Sequence, residues 1–400
     1  MNAVVETRVP QIDVDPFSDE NIDEPYAMHE VLREAGPVTY LPKYDLFVLA
    51  RHAECQAVLT NWEVFISSAG VGLANFRHEA PFRPKSILLE ADPPDHTVVR
   101  TVISRIMSPK NLQRLRDLFE AEAVTMVDRA LAKGRIDGVK DIAEYFPLKV
   151  FPDAVGLESN GRENLLLYGD MVFNALGPRN ELFERSMERY KPVSSWIMDH
   201  CKRESLAAGG LGHLIYEAAD TGEISTDQAA MLVRSFLSAG VDTTIGGIAN
   251  LLLTLARHPA EYAKLHAEPG LARQTFEEGL RYESMVQTIF RTTSRETEIA
   301  GVTIPEDRKV LNLLGAANRD PRKWSDPDRF DVNRNPVGHL IFGAGIHGCV
   351  GQMIARMEGE IVLRALAKRV KEIRLTGPHK RHLNNSLRAM HSLPLELVPA

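Results

Sequence analysis

The chain has 400 residues, of which 44% are hydrophobic and 25% charged. These proportions are typical of a globular protein and exclude a disordered or fibrous chain. The 47 Lys and Arg against 54 Asp and Glu give a net charge of -7, which argues against a general nucleic-acid binder. Three cysteines (Cys55, Cys201 and Cys349) lie far apart without a Cys-x-x-Cys pair. They predict neither a disulfide framework nor a zinc ribbon, and they fit a reducing cytoplasm.

The N-terminus lacks a basic start followed by an apolar core, so a signal peptide is not expected. No run of 18 apolar residues occurs, and the most apolar stretch, residues 248–256, is too short to cross a membrane. The sequence has neither internal repeats nor a linker rich in Ser, Gly or Pro. One domain over residues 1–400 is therefore the simplest prediction.

The first half of the chain predicts an N-terminal arm, a few short β elements and then helices. The arm covers roughly the first 25 residues, and residues 67–86 are irregular. A loop that long inside a compact domain is usually functional or mobile. The regular elements are predicted as strands 38–40 and 46–50, then helices 51–60, 97–107, 109–132, 161–176 and 181–205.

The longest predicted helix, residues 225–258, begins with a capping box at Ser225 and Gln228. At 1.5 Å per residue it would span about 50 Å and cross the whole molecule. The fold class is therefore mainly α with small β-sheets gathered at one edge. The remaining predicted elements are helices 259–267, 271–283 and 350–370, strands 298–304 and 310–314, and a β-like tail over 373–398.

The Gly-rich segment 342–351 around Cys349 allows three interpretations. Cys349 could be a small buried hydrophobic residue. Gly343-x-Gly345-x-x-Gly348 could instead be a dinucleotide loop, but no acidic residue follows the next strand, and too few residues remain for a doubly wound sheet. Alternatively, Cys349 could be a metal ligand, because the glycines allow backbone N–H groups to approach its sulfur. The positive end of the following helix would stabilise the thiolate. A single thiolate suits a haem iron better than zinc.

The pattern Phe342-x-x-Gly345-x-His347-x-Cys349-x-Gly351 resembles the haem-binding signature of the cytochrome P450 family, and the resemblance extends over essentially the whole chain. It implies a triangular helical domain with a long central helix over a haem b. Cys349 would be the axial ligand of the iron, and Phe342, Gly343 and Gly351 would contact the haem. The activity implied is a monooxygenase that inserts one oxygen atom from O₂ into its substrate.

Within the longest helix, Ala239-Gly-Val-Asp242-Thr243-Thr resembles the family's acid–alcohol segment. A Gly and two Thr in mid-helix would by themselves indicate only a local kink. The resemblance implies that the kink opens a groove over the iron beside Ala239. Asp242 and Thr243 would then relay protons to bound oxygen. Two other functions stay open, a haem-thiolate binding protein without turnover and a peroxide-using enzyme.

Two further sets of charged residues follow from the resemblance. Glu278, Arg281 and Arg329 would form a buried structural network, although Glu278 and Arg281 alone would be an ordinary surface pair on a helix. A haem also brings two propionates, which need cationic or other donors. The family places those donors at positions matching His96, Arg100, Arg291 and His347.

Several stretches resemble more narrowly the bacterial subfamily that oxidises para-substituted benzoates, for example by O-demethylating 4-methoxybenzoate. The resemblance implies that Arg83, Ser86 and Ser235 hold or neutralise the substrate carboxylate, with Arg234 beside them. Leu176 and Ile289 stand where aromatic side chains are expected in that subfamily, so a bulkier acid such as a cinnamate is an alternative. The other residues expected to line the cavity are Leu89, Phe173, Ala239 and Val286.

No segment matches a flavin or nicotinamide domain, so the electrons must come from a partner. The family implies a small ferredoxin with an NAD(P)H-dependent ferredoxin reductase, and the protein is expected to be a cytoplasmic monomer that binds neither membrane nor nucleic acid. The candidate basic contacts for the ferredoxin are Arg105, Lys110, Arg114 and Arg356.

Overall fold

The computed structural model describes residues 9–400, so residues 1–8 of the predicted arm lie outside the described residues. Helices dominate the described part of the chain, which confirms the mainly α class. They are α1 Asp19–Asp23, α2 Tyr26–Ala35, α3 His52–Thr60, α4 Asp95–Ile106, α5 Pro109–Lys133, α6 Tyr145–Val155, α7 Asn164–Asn174, α8 Glu181–Tyr190, α9 Ser194–Asp199, α10 Leu211–Asp220, α11 Thr226–Ala239, α12 Asp242–Arg257, α13 Pro259–Ala267, α14 Ala272–Tyr282, α15 Leu314–Ala317 and α16 Gln352–Arg369.

The strands form four small sheets. The largest has the order β1-β2-β8-β5-β3, in which β2 and β8 are parallel and the other neighbours antiparallel. The others are β4-β12-β9, β10-β11 and β6-β7. The strands are β1 Thr39–Leu41, β2 Leu46–Leu49, β3 Phe65–Ile66, β4 Arg135–Asp137, β5 Thr288–Thr293, β6 Thr297–Ile299, β7 Val302–Ile304, β8 Lys309–Leu313, β9 Val370–Leu375, β10 Lys380–His382, β11 Ala389–Ser392 and β12 Pro394–Pro399.

The segment Thr226–Arg257 is the axis of the helical core. Every residue from Thr244 to Leu255 is buried. By length and hydropathy the segment could cross a membrane, but 72% of its most apolar window is buried inside the protein. It is therefore a core helix, because apolar residues on all of its faces are covered by other helices.

This axis is interrupted, so the prediction of one continuous helix over residues 225–258 is wrong in its middle. The helix α11 ends at Ala239 and α12 begins at Asp242. Gly240 lies in the break and packs closely on the ring of Phe151, since a Cβ there would lie 2.2 Å from that ring. The capping box at Ser225 and Gln228 is confirmed.

Other sequence predictions differ in detail. The predicted arm is not extended throughout, since α1 lies within it. The helix predicted over 181–205 is divided into α8 and α9 by a 3-10 turn at Lys191–Val193, where Pro192 lacks an N–H, and α9 ends at Asp199. The strand predicted over 298–304 is the hairpin β6–β7, which turns at Ala300 and Gly301. The pattern also missed α6, α10 and β5.

A fully buried ion pair joins Glu278 and Arg281 on α14. Arg281 Nε donates to Glu278 Oε2 over 2.7 Å, and both side chains are 0% exposed. The third member of the network is Arg334, whose Nε donates to Glu278 Oε1 over 3.1 Å. The prediction of Arg329 is wrong, because its side chain is 62% exposed and lies 3.8 Å from Asp331. Only the backbone carbonyl of Arg329 takes part, as an acceptor for Arg281 and Arg334.

We expect Arg334→Ala to lower the free energy of unfolding by about 3 kcal/mol, because it removes one of two cations from a buried carboxylate. Arg329→Ala is the matched control, since it keeps the backbone carbonyl and should cost less than about 1 kcal/mol. Urea unfolding of the haem-loaded proteins, followed by far-ultraviolet circular dichroism, measures both. Equal losses in the two variants would contradict the assignment.

Candidate functional site

The Gly-rich loop before α16 folds tightly around Cys349. Gly343 and Gly345 both have φ of +68°, a left-handed conformation that favours glycine. The N–H of Cys349 donates to the carbonyl of Phe342 over 2.7 Å, which closes the loop. The helix α16 then begins at Gln352, three residues after the cysteine rather than next to it as predicted.

The three cysteines differ in their surroundings. Cys55 and Cys201 are buried and donate to the backbone carbonyls of Leu49 and Ile197, whereas Cys349 is accessible. Surrounding protein still desolvates the Cys349 thiol and raises its pKa. The backbone N–H groups of Gly351 and Gln352 and the nearby guanidiniums of Arg100 and Arg356 act in the opposite direction. Cys349 is therefore the cysteine with both access and thiolate-stabilising groups.

Four predicted basic residues surround one region next to this loop. The rings of His96 and His347 lie 4.3 Å apart between centroids. Burial is the largest cause that lowers the pKa of the His347 imidazole. Arg291 and Arg100 lie close enough to lower it further. Burial also lowers the pKa of His96 to about 4, with further contributions from His347 and Arg100. The structure thus brings together residues from α4, β5 and the Gly-rich loop.

The polar atoms of this group fit the two propionates of a haem. Both nitrogens of His347 and Nε2 of His96 are buried without a hydrogen-bond partner in the described residues. Arg291 is 2% exposed, yet the one hydrogen bond that its guanidinium makes within residues 9–400 goes to the carbonyl of Phe290. Buried donors without acceptors are costly, and two carboxylates would satisfy them.

Sequence reasoning missed Asp92, which borders the same group. Its carboxylate accepts from the N–H of Ser67 at 2.9 Å and of Ser68 at 3.1 Å, and lies 3.7 Å from His347 Nε2. Burial by itself would raise the pKa of Asp92, but His347 and these N–H groups lower it to about 2. Asp92 therefore anchors the start of the irregular segment 67–86 beside His347. The sequence signal was an Asp between apolar residues and two prolines.

Asp242 and Thr243 lie at the break in the central helix. The Thr243 hydroxyl donates to the carbonyl of Ala239 over 3.0 Å, so it caps the last turn of α11. Burial raises the pKa of Asp242 well above its usual range, and the neighbouring carboxylates of Asp170 and Glu144 add to this. Asp242 therefore holds its proton more tightly than an ordinary carboxyl group.

A cavity of about 160 Å³ adjoins Asp242. Its other walls carry several titratable side chains, among them Lys140, Arg189 and His382. Asp170 is held there by His382 Nε2 at 2.7 Å and by Asn384 Nδ2 at 3.1 Å. One side of the Asp242 side chain thus faces polar groups rather than the apolar core.

The side chains predicted to hold an aromatic ring pack together as what we call the Phe173 cluster. Its buried members are Val71, Phe173, Leu176, Met285 and Leu387. Leu89, Val286, Ile289 and Ala389 are partly buried against it. The structure therefore places every predicted apolar lining residue except Ala239 in one group.

The predicted carboxylate residues surround a buried acid that the sequence did not reveal. Arg83 Nη1 donates to Glu90 Oε2 over 2.9 Å, and the Glu90 side chain is 1% exposed. Arg234 is 7% exposed and donates to the backbone carbonyls of Pro84 and Lys85 at 2.9 and 3.2 Å, without a carboxylate partner in residues 9–400. This Arg83–Arg234–Glu90 group thus holds two cations and one anion.

The two predicted serines differ. Ser86 Oγ accepts from the N–H of Leu89 over 3.1 Å, and within residues 9–400 its own hydroxyl proton has no acceptor. The Ser235 hydroxyl already donates to the carbonyl of Met231 over 3.0 Å, one turn earlier on α11. Ser86 can therefore donate to a ligand as it stands, whereas Ser235 must first release its backbone acceptor.

Comparison with known proteins identifies the family. A family model described as Cytochrome P450 matches residues 211–371. Cytochrome p450 CYP199A2 of Rhodopseudomonas palustris is 53% identical over 393 residues, 98% of this chain and 95% of that protein. This chain belongs to the cytochrome P450 family. Beta-dihydromenaquinone-9 omega-hydroxylase of Mycobacterium tuberculosis (strain ATCC 25618 / H37Rv) is a more distant relative, 31% identical over 97% of this chain and 79% of its own.

Solved P450 structures share the fold. Epothilone D-bound P450epoK aligns with a TM-score of 0.85 at 26% identity, over 97% of this chain and 100% of that one. CYP109Q5 of Chondromyces apiculatus aligns with a TM-score of 0.81 at 28% identity, over 97% and 99% of the two chains. The protein is thus a P450 monooxygenase, an oxidoreductase that binds haem through a cysteine thiolate.

We expect Arg291→Ala to speed haem loss about tenfold or more, because a charge-assisted hydrogen bond contributes about 1.5–3 kcal/mol. Transfer of haem from the purified protein to excess apomyoglobin measures the rate. Arg295→Ala is the matched control, since Arg295 lies just after β5, four residues from Arg291, but is exposed. An unchanged rate in Arg291→Ala would remove Arg291 from the haem site.

Proposed function

We propose that this P450 oxidises a small aromatic carboxylic acid at its para substituent, with O-demethylation of 4-methoxybenzoate as the reference reaction. One observation carries the proposal. A buried group with one excess positive charge lies near the apolar Phe173 cluster, which includes an aromatic side chain. A carboxylate taken out of water needs such a charge, and the ring needs such a cluster.

The excess positive charge arises because the group contains two guanidiniums, those of Arg83 and Arg234, but only one carboxylate, that of Glu90. Arg83 and Arg234 both oppose the rise that burial causes in the pKa of Tyr168 and Tyr190, so the two cations lie near the same two rings. Glu90 neutralises one of them. A substrate carboxylate would neutralise the second, whereas a neutral ligand would leave it buried and uncompensated.

Two donors are available for that carboxylate. Arg83 uses Nη1 and Nη2 on Glu90, while its Nε is buried without a partner in the described residues. The hydroxyl of Ser86 is the second donor. Ser235 would be a third after it gives up the Met231 carbonyl.

The walls of the Phe173 cluster favour an aromatic ring but leave room around it. Phe173 offers an aromatic face, whereas Leu176 and Ile289 are smaller than the aromatic residues expected there. A substituted cinnamate is therefore the second candidate substrate. With a methoxy substituent, hydroxylation of the methyl group gives a hemiacetal, which collapses to a phenol and formaldehyde.

We infer that Cys349 supplies the thiolate and that His96, Arg100, Arg291 and His347 hold the propionates, with Phe342, Gly343 and Gly351 against the haem. When bound, the haem supplies an iron that activates O₂ for insertion of one oxygen atom into the substrate. Burial favours the protonated form of Asp242, which would hold a proton beside the polar cavity. The Thr243 hydroxyl, fixed by the Ala239 carbonyl, would pass it toward the oxygen site.

Bacterial P450s generally take their electrons from ferredoxin and reductase partners. Of the candidate contacts, Lys110 is exposed, but Arg105 pairs with Glu223, Arg114 donates to the Gly209 carbonyl and Arg356 binds Glu277. We therefore propose Lys110 as the freest of the four for an acidic ferredoxin. A single domain, a monomeric state and a cytoplasmic location complete the proposal.

Titration of the ferric, haem-loaded protein with 4-methoxybenzoate should shift the Soret band to its high-spin position, because the bound ring displaces water from the iron. The neutral isostere 4-methoxybenzamide should bind at least about tenfold more weakly, because it leaves one buried cation unpaired. Equal affinity for acid and amide would contradict the charge argument.

Arg234→Gln extends this test. The substitution removes the excess charge, so the affinity for the acid should fall about tenfold or more while that for the amide changes little. A parallel loss for both ligands would indicate that Arg234 only supports the segment at Pro84 and Lys85. Circular dichroism and haem content check that the variant is folded.

Asp242→Asn should lower turnover by about a hundredfold, since general acid–base groups contribute at least that much. The affinity for 4-methoxybenzoate should stay the same, because Asp242 lies outside the Phe173 cluster. Asp227→Asn, at the exposed first turn of α11, is the control. The check is formaldehyde release with a ferredoxin system, and unchanged turnover would exclude the relay.

A further inference from the structure

Lys309, the first residue of β8, is a buried cation that the proposed mechanism does not use. Its residue is 7% exposed, and its ammonium donates to the backbone carbonyls of Gly70 over 2.8 Å and of Ala69 over 3.2 Å. Within residues 9–400 it makes no ion pair, although a buried ammonium is costly without a carboxylate partner. The two carbonyls are therefore the groups that hold this charge in place.

The turn that Lys309 contacts, residues 67–70, is held from two sides. On one side, the Asp92 carboxylate accepts from its first two N–H groups. On the other side, the Lys309 ammonium donates to its last two carbonyls. Within the turn, the N–H of Gly70 donates to the carbonyl of Ser67 over 2.9 Å, and Gly70 has a φ of +96°. One acid and one cation thus fix this turn from outside.

The turn leads directly into a wall of the Phe173 cluster. Val71, the next residue, is 0% exposed and belongs to that cluster. Gly72 follows and packs on Leu176, since a Cβ on Gly72 would lie 2.7 Å from the Leu176 Cα. A displacement of the turn would therefore move Val71 relative to the other side chains of the cluster. The contact of Lys309 lies one residue away from this wall.

The charge of Lys309 depends on the groups around it. Burial lowers the pKa of its ammonium to about 7, and the like charge of Arg291 on β5 contributes to this. The carboxylates of Glu90, Glu79 and Asp307 act in the opposite direction. The strand β2, on the other side of β8, carries only the apolar side chains of Leu46–Leu49. Lys309 is therefore a side chain that can gain or lose a proton near neutral pH.

We propose that Lys309 is a positioning residue for the substrate, because it holds the turn of residues 67–70 and thereby the Val71 wall of the Phe173 cluster. A charged ammonium makes hydrogen bonds roughly twice as strong as those of a neutral amine. A weaker hold leaves a smaller fraction of the protein with a preformed wall, and the apparent dissociation constant rises in inverse proportion to that fraction. Binding of the ring should therefore weaken as the pH rises and Lys309 loses its proton. The effect on binding rests on the proposed function, whereas the hold on the turn does not.

Spin-state titrations of the ferric, haem-loaded protein at several pH values test the effect on binding. From about pH 6 to pH 9.5 the carboxyl group of 4-methoxybenzoate stays ionised, so the ligand does not change. The dissociation constant should rise about three- to tenfold over this range, as expected when charge-assisted hydrogen bonds become neutral ones. 4-Methoxybenzamide should lose affinity by the same factor, because the wall contacts the ring rather than the carboxylate. A loss for the acid alone would overturn the positioning role and indicate a direct charge attraction.

Lys309→Gln keeps N–H donors but carries no charge. At low pH it should bind both ligands as weakly as the parent protein does at high pH, and its affinity should not depend on pH. Lys85→Gln is the matched control, since Lys85 donates to the Ser68 carbonyl of the same turn but is exposed. His78→Gln is a second control, because a histidine can change its charge in this range and His78 binds Asp307. Both controls should keep the pH dependence of the parent protein, and a pH dependence that persists in Lys309→Gln overturns the proposal.

Hydrogen exchange of the substrate-free, haem-loaded protein measures the hold on the turn itself. At about pH 6.5, peptides that cover residues 67–76 should exchange about three- to tenfold faster in Lys309→Gln than in the parent protein, after correction for intrinsic rates. At about pH 9 the two proteins should match, because Lys309 is then neutral in the parent. Equal exchange at both pH values overturns the positioning role. The expected exchange together with no spin change toward either ligand would support the hold on the turn and refute the proposed function.

Discussion

The close packing of Gly240 against the Phe151 ring is the constraint on which the proposed site at Asp242 and Thr243 depends. Twelve consecutive buried residues hold α12 in place, so the helix cannot shift to repair the missing turn. The break therefore stays where it is, between Ala239 and Asp242. It places the Asp242 carboxyl beside a polar cavity, and it lets the Thr243 hydroxyl donate to the Ala239 carbonyl. A continuous helix would give both residues only core neighbours.

The pairing of buried charged groups distinguishes structural groups from candidate binding groups in this protein. Around Glu278, each guanidinium is satisfied by the carboxylate or by backbone carbonyls, which leaves nothing to bind. Around His347, buried nitrogens have no acceptor in the described residues, and the Arg83–Arg234–Glu90 group has one cation more than anions. An unsatisfied buried donor is costly, so it persists where a ligand completes it. The proposed haem and substrate sites thus share one feature, which is buried positive or donor groups without a protein partner in the described residues.

Sequence patterns predicted the mainly α class, the capping box of α11 and the clustering of the haem-directed residues. Their errors have physical causes. Arg329 and Arg334 are both arginines near Asp331, and only the chain path decides which guanidinium reaches Glu278. The single helix predicted over 181–205 is divided at Pro192, because proline cannot donate the backbone hydrogen bond that an uninterrupted α-helix needs there. Glu90 and Asp92 were overlooked because a carboxylate between apolar residues has no pattern of its own until its partners are known.

The sequence by itself determined the chemistry of the protein. The Gly-rich loop, the cysteine and the acid–alcohol pair are local, since each depends on residues within about ten positions of one another. Only the tertiary structure decided which buried charges are paired and where the cavities lie. Arg234 donates to the Pro84 carbonyl across 150 positions of chain, and the cavity beside Asp242 is lined by segments that are more than a hundred residues apart. Pairing of buried charges depends on distances of a few ångströms, and those distances are set by the packing of helices rather than by spacing along the chain.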